Sequence, residues 1–262
     1  MFLKKMYKNR TVTQTGFTLI ELSVVLVVIG LIVATITIGS GMIHSAQLRS
    51  VISDINKYKA AVNLFKDKYN ALPGDMRDAY DYWGDDCFHV VDECNGDGNG
   101  QLAASNSDEV LQFWRQLKLD NFIEGKFTGA PANPPAPGYA SIGVNIPAGP
   151  IAGTAFKAGY GCWSVGWTCF GKIGNLIFFG TVPDGHNYLT GGALSPADAR
   201  SIDKKMDDGV ADGGYVRPMN SYLPDGSSFD LRCTGVNPIF ASSGSYDLSI
   251  SDPVCRMAFF LD

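Results

Sequence analysis

Apolar side chains run almost without interruption from Phe17 to Ile38, with a single charge at Glu21. The run is too long for a strand and lacks the polar face of a surface helix. At ~1.5 Å per residue, a helix of this length spans roughly the ~30 Å hydrocarbon core of a bilayer, so a transmembrane helix is expected. A different period follows. Ile43, Leu48, Val51, Ile52, Ile55, Tyr58, Val62, Phe65 and Tyr69 recur three or four residues apart, with Arg49, Asp54, Lys57, Lys59, Lys66 and Lys68 between them. That spacing predicts an amphipathic helix with one face on a core. Leu72-Pro73-Gly74 predicts its end. The two halves are expected to form one long helix.

Further elements follow from local signals. Residues 107–117 begin with an N-cap candidate, Ser107, and place Val110, Phe113, Trp114 and Leu117 on one helical face. Ser195-Pro196 with Asp198 predicts a second helix start, and Gly209 its end. Residues 175–182 and 256–261 read as buried strands, and residues 213–217 as a weaker one. Residues 129–150 are dense in Pro, Gly and Ala and read as a long irregular loop. The fold class expected is α+β.

Charge sharpens the picture at the N-terminus. Lys4, Lys5, Lys8 and Arg10 precede the apolar run and no acid does, although the whole chain carries a net charge of -5. By the positive-inside rule this basic segment stays cytoplasmic, so the chain beyond Ile38 faces the other side. The body is then more acidic than the whole, which argues against general nucleic-acid binding. A secretory signal peptide fits poorly: its apolar region is shorter, and no small-residue cleavage site follows this run.

Thr15-Gly16-Phe17-Thr18-Leu19-Ile20-Glu21, behind a basic leader and opening an apolar helix, resembles the processing site of type IV prepilins and of the related pseudopilins of type II secretion. The match is tight over residues 10–38. It implies a leader, 1–16, cut between Gly16 and Phe17 by a membrane prepilin peptidase, and N-methylation of the new Phe17 amine. It implies a transmembrane and assembly helix over 17–41. It implies that residues 42–262 form an extracytoplasmic pilin-like head, in which the second half of the long helix packs on an antiparallel sheet with disulfide-bounded loops. Glu21 is implied to meet the N-terminal amine of a neighbouring subunit. The physics agrees, because a lone carboxylate in hydrocarbon is costly unless paired. One departure is that many major pilins carry Pro where this chain has Ile38, followed here by Gly39-Ser40-Gly41.

Six cysteines, at 87, 94, 162, 169, 233 and 255, all lie beyond the apolar run. An even count outside the cytoplasm reads as disulfides. Sequence neighbours favour Cys87–Cys94, Cys162–Cys169 and Cys233–Cys255, though six cysteines allow fifteen pairings. Zinc is disfavoured: no Cys-x2-Cys pair occurs.

Asn95, Asp97, Asn99 and Gln101 place oxygen-bearing side chains at alternate positions, with Gly100 among them, at offsets like those of an EF-hand loop. Glu109 could close such a calcium site, with Asp92 or Glu93 adding charge; the twelfth position, Asn106, departs from the pattern. An Asn/Gly-rich turn braced by Cys94 explains the same residues, and the sequence leaves the two readings open. Asp203, Asp207 and Asp208, before Gly209, form a second acidic cluster that reads as solvated helix-end charges, with a metal site as the alternative.

No nucleophile and base constellation is present, and His44, His89 and His186 sit in no catalytic motif. An enzyme is not expected, and no cofactor beyond calcium is called for. The resemblance implies a structural subunit of a type IV filament (pilin, minor pilin or pseudopilin). Its partners would be other subunits, the peptidase, the inner-membrane assembly machinery and membrane lipid. It would reside in the inner membrane of a Gram-negative-type bacterium with its head in the periplasm, and then in a pilus or pseudopilus. The alternative is a membrane-anchored binding module or adhesin, with Trp83, Trp163 and Trp167 in an aromatic surface; a periplasmic enzyme comes last.

Overall fold

A computed structural model describes residues 16–87, 94–102, 109–130, 140–161, 169–182, 189–222, 229–236 and 243–261. Residues 1–15, where a leader was expected, and Asp92, Glu93, His89, Asn106, Ser107, Cys162, Trp163, Trp167 and His186 lie outside the described residues. The chain divides into two compact units, with the boundary between Ala46 and Gln47.

The first long element is a 51-residue helix, α1, Leu19–Tyr69. Its backbone is helical through Gly39 and Gly41, the glycines that follow Ile38. Among the described residues no helix is long and apolar enough to cross a membrane. The expected transmembrane helix over 17–41 is thus not met there. The described side chains of the apolar run stop at Ala34, before the run itself ends at Ile38.

Within the second unit, α1 presents the predicted stripe. Leu48, Val51, Ile55, Tyr58, Val62 and Phe65 are buried, and Ile52 and Tyr69 pack at its margin. Ile43, expected on this stripe, is exposed; it lies in the first unit. The helix stops before the predicted Leu72-Pro73-Gly74. Asn70 takes a left-handed conformation and donates its backbone N–H to the Lys66 carbonyl at 2.8 Å. Asn tolerates that conformation, which ends a helix early.

Two short helical elements follow: α2, Ala79–Trp83, and a single 3-10 turn, Gly84–Asp86. The helix predicted from Ser107 runs Glu109–Leu119 (α3). Its predicted face, Val110, Phe113, Trp114 and Leu117, is fully buried, and so are Leu111, Gln112 and Gln116. Helix α4, Pro196–Met206, starts as predicted: the Ser195 hydroxyl accepts the Asp198 N–H at 3.2 Å and Pro196 fills the first turn.

Five strands form one antiparallel sheet in the order β1-β2-β5-β3-β4. They are β1 Thr154–Tyr160, β2 Asn175–Thr181, β3 Val216–Tyr222, β4 Phe229–Asp230 and β5 Cys255–Phe260. The C-terminal strand β5 lies centrally, pairing Phe179 with Met257 on one side and Arg256 with Met219 on the other. Phe156, Ile177, Phe179, Met257 and Phe259 join the α1 and α3 side chains in one core. Tyr58 bridges the layers, with its ring edge-on to Trp114 at 4.9 Å and to Phe156 at 5.2 Å. On the opposite face Leu176, Met219, Ala258, Phe260 and Cys169 form a second cluster. Burial on both faces explains why β2 and β5 read as continuous apolar runs. The fold is therefore α+β with an antiparallel sheet, as expected. The strand expected at 213–217 begins later, at Val216, because Gly213 and Gly214 form the turn that leads into it.

Two of the expected disulfides are described, Cys87–Cys94 and Cys233–Cys255. Cys169 is disulfide-bonded as well.

Candidate functional site

Thr18 and Glu21 build the start of α1. The Glu21 carboxylate accepts both the backbone N–H and the hydroxyl of Thr18 at 2.8 Å, and the Thr18 hydroxyl accepts the Glu21 N–H at 3.3 Å. This is a reciprocal capping box: two helix-end donors are satisfied within one turn. Reading Glu21 only as a lone carboxylate overlooks this local role. The Thr-x-x-Glu spacing carried the signal. Beyond it, the large apolar side chains from Phe17 to Val33 are exposed on every side of the helix.

The second candidate is the loop after Cys94. Of the residues expected to hold calcium, the structure brings Asp97 and Glu109 together and adds Asp75, which sequence reading missed. Carboxylate oxygens of these three lie within 4.8 Å of one another. Asp75 is buried, and three successive backbone N–H groups point at it: Gly98 at 2.7 Å and Asn99 at 3.2 Å onto Oδ1, and Gly100 at 2.7 Å onto Oδ2. Burial pushes the Asp75 carboxyl up from its ordinary range, against the pull of these donors, and the neighbouring Asp97 adds to the rise. Glu109 accepts the Asp97 N–H at 3.2 Å.

The other expected ligands are engaged differently. Asn95 Oδ1 accepts the Tyr80 N–H at 2.8 Å. It thereby supplies the start of α2 with the acceptor that Asp78, the residue at the cap position, does not. Asn99 turns back on its own loop: its Oδ1 accepts the Gln101 N–H at 2.7 Å, and its amide donates to Asp97 Oδ2 at 2.8 Å. Gln101 joins this network through its backbone N–H. Arg77 Nε ties the loop down through the Asp97 carbonyl at 2.6 Å. Gly96 is required by close approach, since a Cβ there would meet Asp75 Cα at 2.3 Å. The loop's shape thus follows from hydrogen bonds within the protein, and the three carboxylates remain as a concentration of negative charge.

Asp203, Asp207 and Asp208 are not solvated helix-end charges as a group. Asp203 is fully buried and accepts the Tyr246 hydroxyl at 2.7 Å and the Gly209 N–H at 3.2 Å. Burial pushes its carboxyl up to about 6. Asp207 accepts the Val216 N–H at 3.1 Å and the Tyr215 N–H, and Asp208 accepts the Val210 N–H at 2.8 Å. Together they close the turn between α4 and β3. Of the tryptophans, Trp83 is half-buried against Tyr69 at 5.5 Å. His44 lies exposed on α1. No family model, no curated protein and no solved structure matches this chain.

Proposed function

We propose that this chain is a structural subunit of a type IV filament (a pilin, minor pilin or pseudopilin). It is cleaved between Gly16 and Phe17, N-methylated on Phe17, and polymerised through α1. The observation that carries the reading is the junction Thr15–Glu21 opening a helix whose large apolar side chains, Phe17 to Val33, are exposed all round. A helix apolar on every face needs an apolar surrounding, either a bilayer or a bundle of like helices. The transmembrane helix over 17–41 belongs to this proposal. So do an inner-membrane precursor with its head in the periplasm and a filament as the end state.

Hydrolysis of the Gly16–Phe17 bond would free an amine on Phe17, four residues before Glu21, the capping-box partner of Thr18. That amine is a cation at neutral pH and a fit partner for Glu21 on a neighbouring helix, where a buried unpaired carboxylate would be costly. Mass spectrometry of the mature N-terminus tests the processing step. A start at methylated Phe17 supports it, and persistence of the leader in cells with an active prepilin peptidase overturns it. Glu21 variants separate its two roles. Glu21→Gln keeps an N3 side chain able to cap and removes the charge, whereas Glu21→Ala removes both. Membrane insertion is expected to survive in both variants, and filament incorporation to be lost in both. Normal incorporation of Glu21→Gln would show that charge pairing plays no part.

A calcium ion at Asp75, Asp97 and Glu109 is a second, separate proposal. The convergence of three carboxylates on one point favours it, because a divalent cation relieves their mutual repulsion. Calorimetric titration of the protein with calcium is expected to give saturable heat that Asp97→Ala abolishes. No heat from the unsubstituted protein ends the proposal.

A further inference from the structure

A cavity of about 640 Å³ opens where α1 ends, between Tyr69 and Asn70, the segment carrying Asp75, Arg77 and Asp78, and the loop at Gly98 and Gly100. Its size suits a small organic ligand. Its lining does not suit an apolar one, because the wall is made largely of charged and amide side chains. An apolar ligand would strip water from those groups and return no hydrogen bonds. The formal charges balance: Lys66 and Arg77 against Asp75 and Asp78. A strongly charged ligand therefore meets as much repulsion as attraction.

The lining includes one aromatic side chain, Tyr69, with the Lys68 ammonium over its ring at 4.9 Å. The Tyr69 ring is held in place by its hydroxyl, which donates to Asp120 at 3.0 Å. Tyr82 lies edge-on to it at 5.1 Å and Trp83 at 5.5 Å. Two polar side chains at the rim, Asp78 and Asn70, are exposed. Asp78 stands at the cap of α2 but makes no side-chain cap bond. Asn70 is exposed and held in a left-handed conformation that turns the chain at the cavity mouth. Arg77 uses two of its five N–H groups on the Asp97 and Gly98 carbonyls.

We propose that this cavity binds a neutral carbohydrate, a short oligosaccharide. Sugar hydroxyls both donate and accept, which suits a wall of carboxylate, carboxamide and guanidinium groups. One face of a sugar ring presents C–H bonds, which pack on an aromatic side chain such as Tyr69. The proposal does not rest on the filament reading, and its test involves no assembly.

The test is saturation-transfer NMR on the full chain in lauryldimethylamine oxide micelles, a detergent without a sugar headgroup. The probes are maltose, lactose, mannobiose and N,N′-diacetylchitobiose, with triglycine as a neutral peptide. At least one disaccharide is expected to bind saturably. Asp78→Ala removes a carboxylate that caps nothing, and Asn70→Gly keeps the left-handed backbone while deleting the side chain. Asp78→Ala is expected to weaken binding at least about tenfold, the loss of one charge-assisted hydrogen bond, and Asn70→Gly about threefold, the loss of a neutral one, with circular dichroism unchanged in both. No signal from any disaccharide overturns the proposal. So does a signal that survives both substitutions, or binding of triglycine alone.

Discussion

Asp203 is a buried side chain whose ionisation is coupled to folding. Its carboxyl is pushed from an ordinary 3.8 up to about 6, chiefly by burial. A carboxyl with a raised folded pKa holds its proton more tightly in the folded state. Its stabilising contribution is complete below the unfolded value and is lost as pH rises through the folded one. Asp203→Asn keeps the shape and does not titrate. The stability of the unsubstituted protein minus that of Asp203→Asn, from urea unfolding, is expected to fall between about pH 4 and pH 6 by no more than about 3 kcal/mol, then stay level. Taking the difference cancels distant carboxyls such as Asp75, which sits outside this cluster. A flat difference across that window removes the assignment. The residue scale is also where sequence reading was weakest. Spacing alone picked Asn95, Asp97, Asn99 and Gln101 as a ligand row, but Asn95 faces α2 and Asn99 bonds within its own loop. Asp75 lies far upstream, and only the turn after α1 brings it to Asp97.

Elements whose signals are local were legible. Ser195, Pro196 and Asp198 are neighbours, and the capping geometry they build needs no tertiary partner. Ser195→Ala is expected to cost about 1 kcal/mol, read as a lower midpoint in urea unfolding with unchanged slope. A midpoint equal to that of the unsubstituted protein would mean that Pro196 and tertiary packing hold the helix start without the cap. The runs that became β2 and β5 were legible because both faces are buried. Strand β1 was not. Its segment, Thr154–Tyr160, mixes Gly, Ala and Lys157 with only Phe156 and Tyr160 as large apolar residues, and neither alternation nor a continuous run results. It is a strand because β2 offers a full register from Thr154↔Thr181 to Tyr160↔Asn175, a long-range pairing that local pattern does not encode.

At the scale of the whole molecule, the last strand holds the sheet together. Strand β5 pairs on both sides, so the chain cannot complete its sheet until its C-terminal residues are in place. Long-range pairing of this kind carries a high loop-closure cost. The disulfide Cys233–Cys255 offsets part of that cost by joining the segment after β4 to the first residue of β5, at a sequence separation of 22. Cys87–Cys94 closes a much shorter loop, with a separation of 7, beside the calcium candidate. Chain-entropy reasoning makes the longer loop the more stabilising link, at about 3 kcal/mol against about 2. Replacing each pair with serines, so that no lone thiol remains, gives a direct comparison. The Cys233→Ser, Cys255→Ser variant is expected to unfold at lower urea than the Cys87→Ser, Cys94→Ser variant, and with a steeper slope, because its unfolded state is freer to expand. The reverse order would place the dominant constraint in the loop closed by Cys87 and Cys94, just before Asp97, and would make that loop, not the closing strand, the part of the fold that most needs covalent support.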